Sequence, residues 1–213
     1  VVLVSPGLLD RRVMRVESRG AALRRHFLSP RRWIRAVGIV MNFGFAVMGM
    51  LAYQSYPGDP PIPARVTDSS GHVLFTRSDI LAGQEVFLRN GLMEYGSIFG
   101  HGGYLGPDFT ADYLHRAALI AIDHYGGVSV EAARQKTIDD FKTNRYDSAT
   151  GVVVYTAAQT EAFQQLVVYY GDFFGTPTTK NGLRTSAITD PQEIRQLTAF
   201  FSWSAWAAAT LRP

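Results

Sequence analysis

The chain has 213 residues, 46% hydrophobic and only 18% charged. That charged share lies below the roughly 25% of an average soluble domain, which excludes a disordered chain. The absence of cysteine excludes disulfides, cysteine-ligated zinc, iron–sulfur clusters and covalently attached c-type haem together.

Charge is unevenly spread along the chain. Residues 1–35 hold nine Arg against Asp10 and Glu17, a surplus of seven, whereas residues 36–213 hold twelve Lys and Arg against sixteen acids, a deficit of four. The basic character therefore belongs to an N-terminal lead over 1–32, and the acidic remainder does not suit nucleic acid as a partner. From Ala36 to Tyr53 no charged residue occurs, and with Trp33, Ile34 and Arg35 the run reaches 21 residues, about 31 Å as a helix against a hydrocarbon core of ~30 Å. Trp33 stands at one end and Tyr53 and Tyr56 at the other, where amphipathic rings sit at membrane interfaces. A transmembrane helix is predicted over 33–56, with Asn42 as its one strongly polar interior residue. By the positive-inside rule the arginines before it place 1–32 in the cytoplasm and the residues after about 56 on the outer side.

Residues 57–64 carry four prolines and read as a stiff extended linker. Residues 64–76 read as a β-hairpin around Ser69-Ser70-Gly71, followed by a helix over 78–89. Residues 91–108, with six glycines, form a loop. Asp108 opens a helix to about Tyr125, and Ser129 opens another to Thr143. Gly151–Tyr155 is a short strand. Thr156-x-x-Gln159 is a capping box for a helix to about Phe174, and Asp190-Pro191 is a cap with proline at the first helical position for a last helix. The expected fold class is mainly α with minor β: one membrane helix, then a helical domain over 65–195, then 196–213 leading back to the membrane. Val1 at the start and an apolar stretch halting at Pro213 read as cuts in a longer chain.

Residues that carry chemistry are sparse. His26, His72, His101, His115 and His124 show no ligand spacing; His115 and His124 are nine apart and face different ways on one helix. Asp139-Asp140 reads as a solvated helix face, and Asp108 with Asp112 as charge matching at a helix N-terminus. The glycine-rich segment lacks a phosphate-loop pattern, and the GxSxG and HExxH motifs are absent. Tyr95, Phe99 and Tyr104 read as core or rim aromatics. No catalytic, cofactor-binding or metal-ligating residue is assigned.

One spacing is suggestive. Small cytochromes c open with a helix bearing Gly, an aromatic four residues on, and CxxCH after four more. Gly83 and Phe87 fill the first two places, while Gly91-Leu92-Met93-Glu94-Tyr95 stands where CxxCH would be. The full stretch GQEVFLRNGLMEYGSIFGHGGYLGPDFTADYLHR, residues 83–116, resembles the extracytoplasmic domain of quinol-dependent nitric oxide reductases, single-chain members of the haem–copper oxidase superfamily. LTAFFSWSAWAAATLRP, residues 197–213, resembles the segment leading from that domain back to the membrane.

The resemblance implies a denitrification enzyme of the bacterial inner membrane, with a periplasmic cytochrome c-like domain that holds no haem. Such enzymes reduce two NO to N2O and water with electrons from quinol, using haem b, high-spin haem b and non-haem iron. Their ligands are histidines on later transmembrane helices, so none maps here. The implied partners are the C-terminal catalytic bundle and the lipid bilayer. His101, Glu94, Asp112 and Arg116 are the candidate structural or interface groups against that bundle. Two other readings stand beside this one: a complete single-span anchored binding or sensor module, and a haem b electron carrier using His101 with His115 or His124.

Overall fold

The computed structural model describes residues 30–55, 60–177 and 182–211. The basic lead before residue 30, Tyr56 and the first part of the proline segment lie outside them. The chain divides into two compact units, residues 1–59 and 60–213.

In the first unit α1 runs from Pro30 to Ser55. Proline suits the first helical turn, where no backbone donor is needed. Twenty-five residues of it, Pro30–Gln54, are long and apolar enough to cross a membrane, and none is buried within the fold. The Asn42 amide donates to the Gly38 carbonyl at 2.7 Å, so its polarity is met inside its own helix.

The second unit opens with β1 (Arg65–Thr67) and β2 (Val73–Thr76), antiparallel as predicted, with an irregularity between Val66 and Thr67. Their turn is held by Asp68, whose Oδ1 accepts the Ser70 hydroxyl and the Ser70 and His72 N–H groups. The Ser70 hydroxyl first, then those N–H groups, bring this carboxyl down to about 2. Helix α2 (Arg77–Arg89) follows without a break. Thr76 accepts from the Asp79 N–H, and the Asp79 carboxylate accepts from Thr76, a capping box with Asp in place of Glu.

A one-turn helix α3 (Leu92–Tyr95) and a small hairpin, β3 (Ser97–Ile98) with β4 (His101–Gly102), occupy the glycine-rich stretch. Helices α4 (Phe109–His124) and α5 (Val130–Lys142) start on Asp108 and Ser129 as their caps predict. Strands β5 (Tyr146–Asp147) and β6 (Val152–Val154) precede α6 (Ala157–Gly175), where the Thr156–Gln159 capping box is formed. Helix α7 runs from Pro191 to Ala209 on the Asp190 cap. Strand β1 also pairs in parallel with β6, Val66 opposite Val153, giving a four-stranded sheet in the order β2-β1-β6-β5.

The most extensive helix contact joins α2 to α7. It forms because Gly83 has no side chain: a Cβ there would strike the Gln196 carbonyl and the Phe200 Cβ. Around this crossing Phe87, Phe109, Tyr170, Phe174 and Phe201 are all fully buried. Phe109 and Phe201 stack with centroids 4.6 Å apart and planes 3° from parallel.

The expected boundary between 195 and 196 falls inside α7. Its buried positions run from Ile194 through Leu197 and Phe201 to Ala207, so the helix is a central core element of the domain. The apolar character of the last helix marks burial in protein.

Candidate functional site

The glycine-rich stretch is organised by one carboxylate. Asp108 Oδ2 accepts the Ser97 hydroxyl at 2.8 Å and the Gly100 N–H at 2.6 Å, while Oδ1 accepts the Ala111 N–H at 2.9 Å as the cap of α4. Partial burial pushes this carboxyl up, but the Ala111 N–H, the Ser97 hydroxyl and the Gly100 N–H outweigh it, and the net shift is downward from 3.8. Phe99 takes a left-handed backbone, φ 52°, uncommon for a residue with a Cβ. Its N–H donates to the Thr110 hydroxyl at 3.1 Å, and Thr110 donates in turn to buried Ser204 on α7. Gly102 and Gly106 let the strand lie flat on α3, since a Cβ at Gly102 would strike the Gly96 carbonyl and one at Gly106 the Tyr95 ring. The result is a rigid loop whose tip is exposed: Tyr104 is 88% accessible and Leu105 64%.

Because Asp108 titrates below the ordinary value in the folded chain, its contribution is full above about pH 4 and is lost as pH falls through the folded value. Asp108→Ala is expected to lower stability at pH 7 by about 1–3 kcal/mol and to accelerate amide exchange at Gly100 and Ala111. An unchanged exchange rate at both amides would refute the role.

The four candidate interface residues fall into two groups. Asp112 and Arg116 pair on one face of α4, Arg116 Nε donating to both carboxylate oxygens at 2.9 and 3.1 Å. The Tyr170 hydroxyl donates to Asp112 at 3.0 Å, and the Arg116 guanidinium lies 3.8 Å over the Tyr169 ring. The pair therefore ties α4 to α6. His101 and Glu94 are exposed and join neither partner; the His101 Nδ1 lies 2.9 Å from the Phe99 carbonyl within its own hairpin. Tyr95 is buried, Phe99 is 41% exposed and Tyr104 projects outward.

Asp139 and Asp140 part company. Asp139 is exposed, as expected of a solvated face, but Asp140 is buried. It accepts from the Tyr125 hydroxyl, from Thr156 at 3.2 Å and from Arg145 at 3.1 Å. Burial, then the hydrogen bond to Asp140, pushes the Tyr125 hydroxyl up to about 12. The signal was present in the sequence: the inward positions Ala133, Thr137 and Asp140 follow helical spacing.

His124 Nδ1 lies 2.6 Å from Glu161, and His101, His115 and His124 line none of the three cavities bordered by Tyr113, by Gly171 and by Asp68. No group of three metal-ligating side chains occurs among the described residues. The enclosed cavity near Tyr113, Tyr155, Gln159 and Ser202 holds about 10 Å³, room for about one water, against the ~300–1,000 Å³ of a ligand pocket. The Tyr155 hydroxyl there lies 2.9 Å from Ser202 and burial raises it to about 12. At the place where CxxCH would fall, Leu92 and Tyr95 are packed into the core. A c-type haem does not fit these residues.

A search of curated proteins gives no match. A family model does match, that of the NorB cytochrome c-like domain of nitric oxide reductase, over residues 63–213. It covers the sheet, the glycine-rich loop and every helix from α2 to α7, more than two thirds of the chain. The chain therefore belongs to the NorB family of nitric oxide reductases, whose parent proteins are haem-containing oxidoreductases, through its cytochrome c-like domain.

Proposed function

We propose that the chain is the N-terminal part of a quinol-dependent nitric oxide reductase. Helix α1 anchors it in the bacterial inner membrane with the basic lead on the cytoplasmic side. The domain from residue 60 onward caps the periplasmic face of a catalytic bundle carried by later helices. That bundle supplies haem b, high-spin haem b and non-haem iron, and turns two NO, two electrons and two protons into N2O and water. The residues of this chain hold the anchor, the cap and the seating surface, with the Asp112–Arg116 pair stiffening the cap.

One observation carries the choice of donor. The domain keeps a cytochrome c-like framework, yet Gly91–Tyr95 is packed as a one-turn helix with Leu92 and Tyr95 in the core, and the chain has no cysteine. Electrons then have no c-type haem to pass through in this domain, and a donor dissolved in the bilayer meets the need.

Membranes carrying the intact gene product test this. They are expected to consume NO and release N2O with a reduced quinone analogue, and to gain nothing from reduced soluble cytochrome c. Turnover with cytochrome c and none with quinol would overturn the proposal.

A further inference from the structure

Charge is divided unevenly between the two units. Residues 1–59 hold nine Arg against Asp10, Glu17 and Asp59, a surplus of six, while residues 60–213 hold twelve Lys and Arg against fifteen acids, a deficit of three. Arg19, Arg24, Arg25, Arg31, Arg32 and Arg35 follow one another with no acidic residue between positions 18 and 58, and the next basic residue is Arg65. The surplus therefore belongs to one end of α1. Orientation in a membrane depends on the count of such charges near a span and asks for no particular placement. Two of these arginines nevertheless have a defined one.

Arg31 and Arg35 are exposed on α1. They stand one helical turn apart, so their side chains rise from one face with Cβ atoms about 5–6 Å apart. The next position on that face is Gly38, with open space where a Cβ would stand. The apolar part of α1, Pro30–Gln54, has 25 residues, about 37 Å of helix against a hydrocarbon core of ~30 Å. The excess length puts the first turn among the headgroups. Arg35 starts about 6 Å further along the axis and reaches the same layer by extending its side chain outward. Trp33, 58% exposed, is a ring type that favours this depth.

We infer that Arg31 and Arg35 form a binding site for the phosphate of an anionic phospholipid headgroup. This rests on α1 as the membrane anchor of the function proposed above, and not on the catalytic part. Each guanidinium is a planar fork that matches two phosphate oxygens, and two forks one turn apart hold one phosphodiester between them. The bare surface at Gly38 leaves the lipid's glycerol and chains a path down the same face. Charge and depth make lipid the occupant. Headgroup phosphates lie at the level of the first turn, and the other arginines before α1 strengthen the attraction to an anionic leaflet. The chain offers the pair no carboxylate between positions 18 and 58.

The test uses the intact gene product in phosphatidylcholine vesicles doped with phosphatidylglycerol that carries a photoreactive diazirine near its glycerol. Adducts are mapped to peptides by mass spectrometry and competed with unlabelled lipid. Expected are adducts on the first turns of α1, displaced by phosphatidylglycerol at least about fivefold more effectively than by phosphatidylcholine. Arg31→Gln with Arg35→Gln is expected to abolish that preference. Arg24→Gln with Arg25→Gln removes the same charge and is expected to keep it, and either pair leaves seven arginines to orient the helix. Equal displacement by the two lipids, a preference that survives in the Arg31 and Arg35 variant, or an equal loss in both variants overturns the inference, the last by showing diffuse attraction in place of a site. NO consumption is followed in the same vesicles. Lipid preference without quinol-driven turnover sinks the proposed reductase and spares the site; turnover without preference does the reverse.

Discussion

Gly83→Ala is expected to disrupt the domain despite adding a single methyl group. That methyl would land on the Gln196 main-chain carbonyl and the Phe200 Cβ, and no rotamer change moves a backbone atom aside. Helix α2 would have to lift from α7, loosening Phe87 from Phe109, Phe200 and Phe201. Overpacking a core costs roughly 1–3 kcal/mol where side chains can yield; against main chain the loss is expected at or above the top of that range. Total domain stabilities are about 5–15 kcal/mol. The readout is the yield of a protease-resistant domain and the denaturant midpoint; wild-type values for both would show that the crossing tolerates a Cβ.

Phe201→Ala is the second large effect. Phe201 is fully buried, stacks flat on Phe109, and touches the rings of Phe87, Tyr170, Phe174 and Phe200. Its removal leaves a hole that five other rings, pinned from the far side, cannot close, and the expected cost is ~3–5 kcal/mol. Phe201→Leu retains most of the volume and is expected to cost about 1.5 kcal/mol or less. Trp203 and Trp206 on the same helix give a fluorescence signal for the unfolding curve. A loss below about 1 kcal/mol for the alanine variant would mean that the aromatic cluster relaxes freely.

What the sequence revealed and what it hid divide along the range of the interactions. Helix starts at Asp108, Ser129, Thr156 and Asp190 were legible because a capping side chain bonds an N–H two or three residues on. The hairpin near residue 70 was legible for the same reason. The pairing of β1 with β6 was not, since Arg65 meets Val152 across most of the domain and three-residue strands carry little pattern. The burial of the last helix within the domain was not legible, because a run rich in Phe, Trp and Ala reads alike whether it faces lipid or a protein core. Asp140 is misplaced when adjacent acids are treated as one feature, since neighbours on a helix point about 100° apart. Of the candidate site, Asp112 and Arg116 were named only as interface groups; their mutual pairing was not read, and their anchors Tyr169 and Tyr170 come from a helix more than fifty residues further on.

The α2–α7 crossing also sets a timetable for biogenesis. The first helix of the domain finds its main partner in its last, and the first strand of the domain finds one of its partners in Val152–Val154. Until α7 has left the ribosome, the groove around Gly83 stays bare, and Phe87 has nothing from α7 to pack on. Long-range closure of this sort is slow and leaves apolar surface open meanwhile. A translational pause or a truncation before Phe200 would thus leave a half-built domain, the form that quality-control proteases meet first.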